Sequence, residues 1–251
     1  MAGARQEAHL HIAEQLWQRH TTLGPYPRGV LPVPEPIAGT AFFPGGYGLW
    51  RPDVSAPLAP FPVGGVMVLG HDFHSETGYE ASLERGRESE TQPTWQNLLR
   101  LLKEVEIAPE ECFFTNVYMG LRAGTQTTGV FPGSRDPKFV ERCRRFLAEQ
   151  LAAQRPRLIL TLGVHAPRVL APLSPGLEDW GDVAGFKELD RLGPVRYEVQ
   201  FPDATGVETT VVALTHPCLR YAGVRHRTYK GMQGHAAELA MIEDAKQAQP
   251  R

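Results

Sequence analysis

Cysteine is scarce in this sequence. Cys112, Cys143 and Cys218 are the only three in 251 residues, widely spaced and without a CxxC pair. That argues against a disulfide framework and against a four-cysteine metal or iron–sulfur site. No run approaches the roughly 18 consecutive apolar residues that cross a bilayer, so no membrane partner is expected. A dominant charge is also missing. The formal net charge is −2, too small for bulk electrostatics to announce a nucleic-acid partner. The phosphate-loop pattern GxxxxGKS/T, the dinucleotide fingerprint GxGxxG, the GxSxG elbow and the HxxxH metal spacing are all absent. His71 and His74 form only an i,i+3 pair in a loop. The N-terminal "MAGARQEAHLHIAEQLWQRH" interrupts its apolar pattern with acids and histidines, unlike a signal peptide. With 42% hydrophobic and 22% charged residues, a soluble, monomeric, cytoplasmic protein without metal or cofactor is expected.

What is present is an alternation. Residues 5–20 read as a helix through Leu10, Ala13, Leu16 and Trp17. A Pro- and Gly-dense stretch follows, with Phe42, Phe43, Tyr47, Leu49 and Trp50 too apolar for a free linker. Residues 1–60 are therefore expected to pack as a helix and an extended segment against an α/β domain spanning 61–251. Within that domain, "VMVL" is a short, β-branched run that suits a strand buried on both faces. A polar loop leads to a helix capped by Thr94, with Trp95, Leu98, Leu99, Leu102 and Val105 on one stripe. "CFFTNV" is a second strand; Asp136-Pro137 opens a helix as N-cap and first-turn residue. "RLILTLG" is a third strand, turning at Gly163 into a short helix near Pro167. "VRYEVQF" and "VETTVVALTHP" form a hairpin, with Thr209 to Leu214 as the fourth core strand, and a helix over 234–246 closes the chain.

This order predicts a three-layer α/β/α sandwich around a mainly parallel four-stranded sheet. Ligands of such sheets gather beyond the carboxyl ends of the strands. There the pattern collects Gly70-His71-Asp72, Thr115-Asn116, Gly163-Val164-His165 and Thr215-His216-Pro217 at one edge. Asp72 and His216 can serve acid/base or electrostatic catalysis without a cofactor. Asn116 can read a nucleobase edge with one donor and one acceptor. Downstream, "RYAGVRHRTYK" holds Arg220, Arg225, Arg227 and Lys230 with no acid among them, a footprint for phosphates. Plainer readings exist for each. Asp72 could be an N-cap or ion-pair partner, Asn116 a turn cap, His165 a structural residue, and the basic run a solvated face. Met67 and Met119 read as core fillers.

Five islands, in order between about Val66 and Ala237, resemble the uracil-DNA glycosylase superfamily: "GHDFH", "QPTWQNLLRLLKEV", "FFTNVY", "LILTLGVHA" and "LTHPCLRYAGVR". The resemblance implies a monofunctional DNA glycosylase that flips out a damaged base, uracil first, and hydrolyses its N-glycosidic bond during base-excision repair. In a bacterium it would be nucleoid-associated. It puts Asp72 at the water-activating, cation-stabilising position, Asn116 at the base reader and His216 at the group stabilising the departing base. Gly70, His71, Phe73 and His74 would line the base pocket. Pro93-Thr94, Gly163-Val164 and Pro217-Cys218 would pinch the DNA backbone. Leu219, Arg220 and Tyr221 would enter the helix, while Arg225, Arg227 and Lys230 hold phosphates. Phe73 stands where the family usually has proline, His74 where it has tyrosine or glycine, and Cys218 where it has serine. Phe73, His74 and Tyr79 are the candidates for stacking on the base. Two other functions fit the same fold: a nucleic-acid-binding protein that does not cleave, and a hydrolase of a small nucleoside.

Overall fold

A computed structural model of the chain describes residues 10–248. Val66–Asp72 (β1), Cys112–Tyr118 (β2), Leu158–Leu162 (β3), Val195–Val199 (β4) and Thr209–Leu214 (β5) form one sheet in the order β2-β1-β3-β5-β4. The first four in that order run parallel, and β4 pairs antiparallel with β5. The sheet thus holds the four parallel strands expected, plus the first arm of the hairpin as a fifth, antiparallel edge.

Strand side chains alternate between two cores. Met67, Leu69, Phe113, Ile159, Val211 and Ala213 fall in one, while Val66, Val68, Phe114, Leu160, Val212 and Leu214 fall in the other. A period of two with both faces covered explains why these strands are unbroken apolar runs. The helices are Ile12–His20 (α1), Glu76–Glu84 (α2), Pro93–Glu104 (α3), Pro137–Gln154 (α4), His165–Leu170 (α5), Phe186–Leu192 (α6), Arg220–Gly223 (α7) and Gly234–Gln247 (α8). Phe139, Cys143, Phe146 and Leu147 of α4 and Leu16 of α1 close the first core. Trp95, Leu98 and Leu102 of α3 with Met241 and Ile242 of α8 close the second. The Pro/Gly-rich segment reaches both, through Phe43 and Leu49 on one side and Ile37 and Phe42 on the other. It also satisfies the outer edge of β2, where Phe43 N–H donates to Phe114 O at 2.9 Å and Phe114 N–H to Gly48 O at 2.8 Å. An unpaired sheet edge is thereby covered.

Three local expectations change. The helix α2 lies where a polar loop was read, because only Tyr79 and Ser82 of its nine residues are buried and no apolar stripe marks it. Its start is set by Ser75, which accepts from Gly78 N–H. Helix α3 begins one residue before Thr94: Pro93 is its first residue and Gln92 its N-cap, so Thr94 caps nothing. Helix α1 starts at Ile12 behind a capping box of His11 and Glu14, and positions 5–9 of the expected helix lie outside the described residues. Asp136 does cap α4, accepting from Phe139 N–H at 2.9 Å ahead of Pro137. No helix among the described residues is long and apolar enough to cross a membrane.

His20 closes α1 from inside the core, with its ring 5.7 Å from that of Phe43 and 6.3 Å from that of Phe146. Burial, outweighing a contact with the Met119 backbone, pushes its pKa down to about 4. The unfolded chain takes up that proton near the ordinary value of 6.5, so it binds more protons than the folded one across this window. Stability should be complete above pH 6.5 and decline as pH falls toward 4. Urea titrations at stepped pH check this, and His20→Leu should show a shallower decline than the unsubstituted protein.

Candidate functional site

The site is assembled where the four parallel strands end. In register, Gly70 pairs with Asn116 and Asp72 with Tyr118 across β1 and β2. The Asn116 carboxamide lies so close to Gly70 that a Cβ there would sit 2.4 Å from its Oδ1, so only glycine admits it. Its Nδ2 donates to Phe43 O at 3.0 Å. That bond fixes the amide orientation and leaves one N–H and the oxygen for another partner. Gly163 ends β3 at a φ of +85° and packs beneath His216, with a Cβ there only 3.4 Å from His216 Cβ. Its N–H donates to Leu214 O at 2.8 Å, tying the ends of β3 and β5 together.

Asp72 is not a solitary carboxylate. Arg122 grips it twice, Nε to Oδ2 at 2.7 Å and Nη2 to Oδ1 at 3.1 Å, and His71 Nδ1 reaches Oδ1 at 2.5 Å. Burial alone would raise its carboxyl, but the hydrogen bonds and charges of His71 and Arg122 together hold it below the usual carboxylate range. The ion-pair reading of Asp72 thus holds, with a partner that sequence inspection missed. Arg122 lies 50 residues away, in an unremarkable "GLRAG". Its guanidinium also donates to the carbonyls of Thr128, Gly129 and Val130.

Aromatic rings pack around His71. Tyr118 meets it edge-on at 5.1 Å, and Tyr118 is itself stacked on Phe131 at 4.9 Å. The ring of His165, at the start of α5, approaches His71 to 4.9 Å, so His165 belongs to the site. Burial, together with His71 and Arg168, lowers its pKa. His216 Nδ1 accepts from Cys218 N–H at 3.3 Å, with Cys218 Sγ 3.0 Å away. An accepting Nδ1 places the proton of the neutral ring on Nε2. Burial pushes the His216 pKa down to about 4, outweighing the opposing Asp72 charge, so the ring is neutral at pH 7. Thr215 N–H donates to the buried Glu238 Oε1 at 2.7 Å, and Asn97 Nδ2 holds Pro217 O at 3.0 Å. The His216 backbone is clamped on both sides.

The stacking candidates do not reach this edge together. Phe73 is buried in the second core against Gly45, and Tyr79 is buried with its hydroxyl donating to Glu35 O at 2.8 Å. His74 lies over Gly78 of α2, its Nδ1 accepting from Ser75 N–H. Phe73 is therefore seated in the second core, and His74, partly exposed, sits at the start of α2 where the Asp72 charge still acts on it. Thr94 is half-buried in the first turn of α3.

The basic run divides. Leu219 and Tyr221 project, 61% and 81% exposed, and Arg225 makes no ion pair among the described residues. Arg227 is fully buried. It pairs with Asp190 at 2.8 Å and with Glu238 at 2.8 Å, donates to Ala213 O, and lies 4.5 Å from the Phe186 ring centroid. It cannot touch a phosphate in this arrangement, which corrects that expectation. Arg220 donates to Glu238 Oε2 at 2.7 Å, and Lys230 pairs with Asp244 at 2.6 Å. The acids come from α6 and α8, which is why "RYAGVRHRTYK" looked unpaired in sequence.

A family model described as the Uracil DNA glycosylase superfamily matches residues 87–230, more than half of the chain. The chain belongs to that superfamily. The match takes in Asn116, Gly163, His216 and the exposed Leu219 and Tyr221 at the start of α7, and begins after Asp72. No curated protein matches the chain. Within this glycosylase fold, Glu238 holds Thr215 beside His216, and Arg227 compensates Glu238. Arg227→Met should destabilise the protein by about 3–5 kcal/mol, because it removes the buried guanidinium that Asp190 and Glu238 share and leaves Asp190 without a cation. Arg225→Ala should stay within about 0.5 kcal/mol. Chemical denaturation of both variants measures the contrast.

Proposed function

We propose that this protein is a DNA glycosylase that turns a damaged base, uracil first, out of DNA and hydrolyses its N-glycosidic bond. The observation that carries this is His216. It is neutral, with Nε2–H as its donor, at the strand edge that also bears Asn116 and Asp72. Cleavage of the bond leaves negative charge on the departing base, and a fixed neutral donor stabilises an oxygen of that base without first surrendering a proton. Such a contact typically accounts for about 10²–10³ in rate. Asn116 supports base reading: its remaining N–H suits a carbonyl oxygen and its Oδ1 suits a ring N–H, the pattern of uracil rather than cytosine.

Getting the base to this edge means taking it out of the stack, which costs a few kcal/mol and favours mispaired or single-stranded sites. Leu219 and Tyr221 supply an apolar and an aromatic side chain for the vacated space, on the turn into α7 that Asn97 anchors through Pro217. Arg225 supplies a phosphate contact. The net charge of −2 makes a local cation of this kind matter more than overall attraction.

Uracil-, hypoxanthine-, xanthine- and mismatch-bearing oligonucleotides, followed by alkaline cleavage, test the reading. Uracil release is expected, and His216→Leu should lower it by about 100-fold or more. Tyr221→Ala should slow release from duplex more than from single strands, since only the duplex has a stack to hold open. Arg225→Ala should flatten the dependence of log affinity on log salt by about one unit. Tight binding of such DNA with no release of any base would instead identify a binding protein. Release from free nucleosides alone would identify a small-substrate hydrolase.

A further inference from the structure

We infer that the group which takes the proton from the attacking water is His71, with Asp72 as the residue that positions it. The inference rests on the glycosylase reading and assigns the base within that site. It stands on the partners of two adjacent side chains. Both Asp72 oxygens accept from Arg122, and Oδ1 accepts from His71 as well. A carboxylate with its lone pairs so engaged, and its charge matched by a buried guanidinium, is a poor proton acceptor and a weakened stabiliser of a sugar cation. His71 has the complementary arrangement. An ionised carboxylate can only accept, so the bond at 2.5 Å places a proton on His71 Nδ1. Nε2 then carries the lone pair of the neutral ring, and it makes no hydrogen bond among the described residues. The ring is held by Tyr118 at its edge and by His165 at 4.9 Å. Its side chain keeps 17% of its surface open, more than the 10% of Asp72. A base oriented by a carboxylate through one ring nitrogen, with the other nitrogen open, is the geometry that general-base catalysis requires.

The step balances without a co-reactant. Water oxygen bonds to the anomeric carbon as the bond from that carbon to the base nitrogen breaks. The electron pair of that bond leaves on the base, where His216 Nε2–H donates to the developing anion. The water proton moves to His71 Nε2 and is later released to solvent or to the departed base. The titratable and charged groups around His71 are Asp72 on its own strand with Arg122 behind it, Tyr118 from β2, His165 from α5 with Arg168 against it, and His216 beyond β5. Of these, Asp72 is held below the usual carboxylate range and His216 is neutral, while His74 faces Asp72 from the start of α2. Substitution separates them.

Single-turnover release of uracil from a uracil-bearing oligonucleotide, followed between about pH 5 and pH 9, tests the assignment. The unsubstituted protein should lose rate on acidification. His71→Gln should fall by about 100-fold or more and lose that acid limb while still binding the oligonucleotide. His165→Gln should keep the limb. Asp72→Asn should also keep it, because the base remains. Added imidazole should restore part of the rate to His71→Ala, a recovery that a purely structural role would not give. An unchanged rate or a persisting acid limb in His71→Gln, with uracil released normally by the unsubstituted protein, overturns the assignment and leaves the glycosylase reading standing. Absence of release by the unsubstituted protein overturns both.

Discussion

A carboxylate that keeps only 10% of its side-chain surface exposed at the end of β1 cannot be left alone, and much of the site follows from that constraint. Removing Asp72 from water costs several kcal/mol unless its charge is met. Arg122 meets it, and the same guanidinium, itself buried, needs acceptors for its remaining donors. It finds them in the carbonyls of Thr128, Gly129 and Val130. Fixing those carbonyls delivers Phe131 to stack on Tyr118, and Tyr118 borders His71. One charge therefore ties together a Gly/Thr-rich loop, an aromatic floor and the orientation of the His71 imidazole.

A second buried network does the same around the end of β5. Glu238 on α8 accepts from Thr215 N–H, Arg220 and Arg227, and Arg227 spans to Asp190 beside α6's end. The two arginines that would have been spent on phosphates instead hold the backbone leading into His216. Leu219 and Tyr221 remain exposed on the turn into α7, whose root is clamped through Pro217 and Thr215.

Strands were legible because burial on both faces leaves one signal, a short, largely apolar run, and β1, β2, β3 and β5 each carry it. Asp136-Pro137 was legible because a cap and a fixed first φ act locally. The helix α2 was not, since Tyr79 and Ser82 alone make no stripe. Gly70, Asn116, Gly163 and His216 stood out through the polar exits of the strands. The roles of Arg122, Asp190 and Glu238 did not, because a buried ion pair has no periodicity and its partners lie far apart along the chain. The basic run misled for the same reason: charge in sequence says nothing of the acid that folding brings beside it. The ring positions of Phe73 and His74 depend on Gly45 and Gly78, whose missing side chains make room for them.

The central claim is that the paired Asp72 stays on Arg122 while His71 and His216 address the reacting base and water. A crystal structure with duplex DNA carrying a 2′-fluoro-deoxyuridine, which resists cleavage, tests it most directly. The account predicts uracil at the ends of β1, β2, β3 and β5, with His216 Nε2 at hydrogen-bond distance from a base oxygen. It also predicts a water between His71 Nε2 and the anomeric carbon, and an intact Asp72–Arg122 pair. A base bound elsewhere, or Asp72 released from Arg122 and holding that water itself, would contradict it.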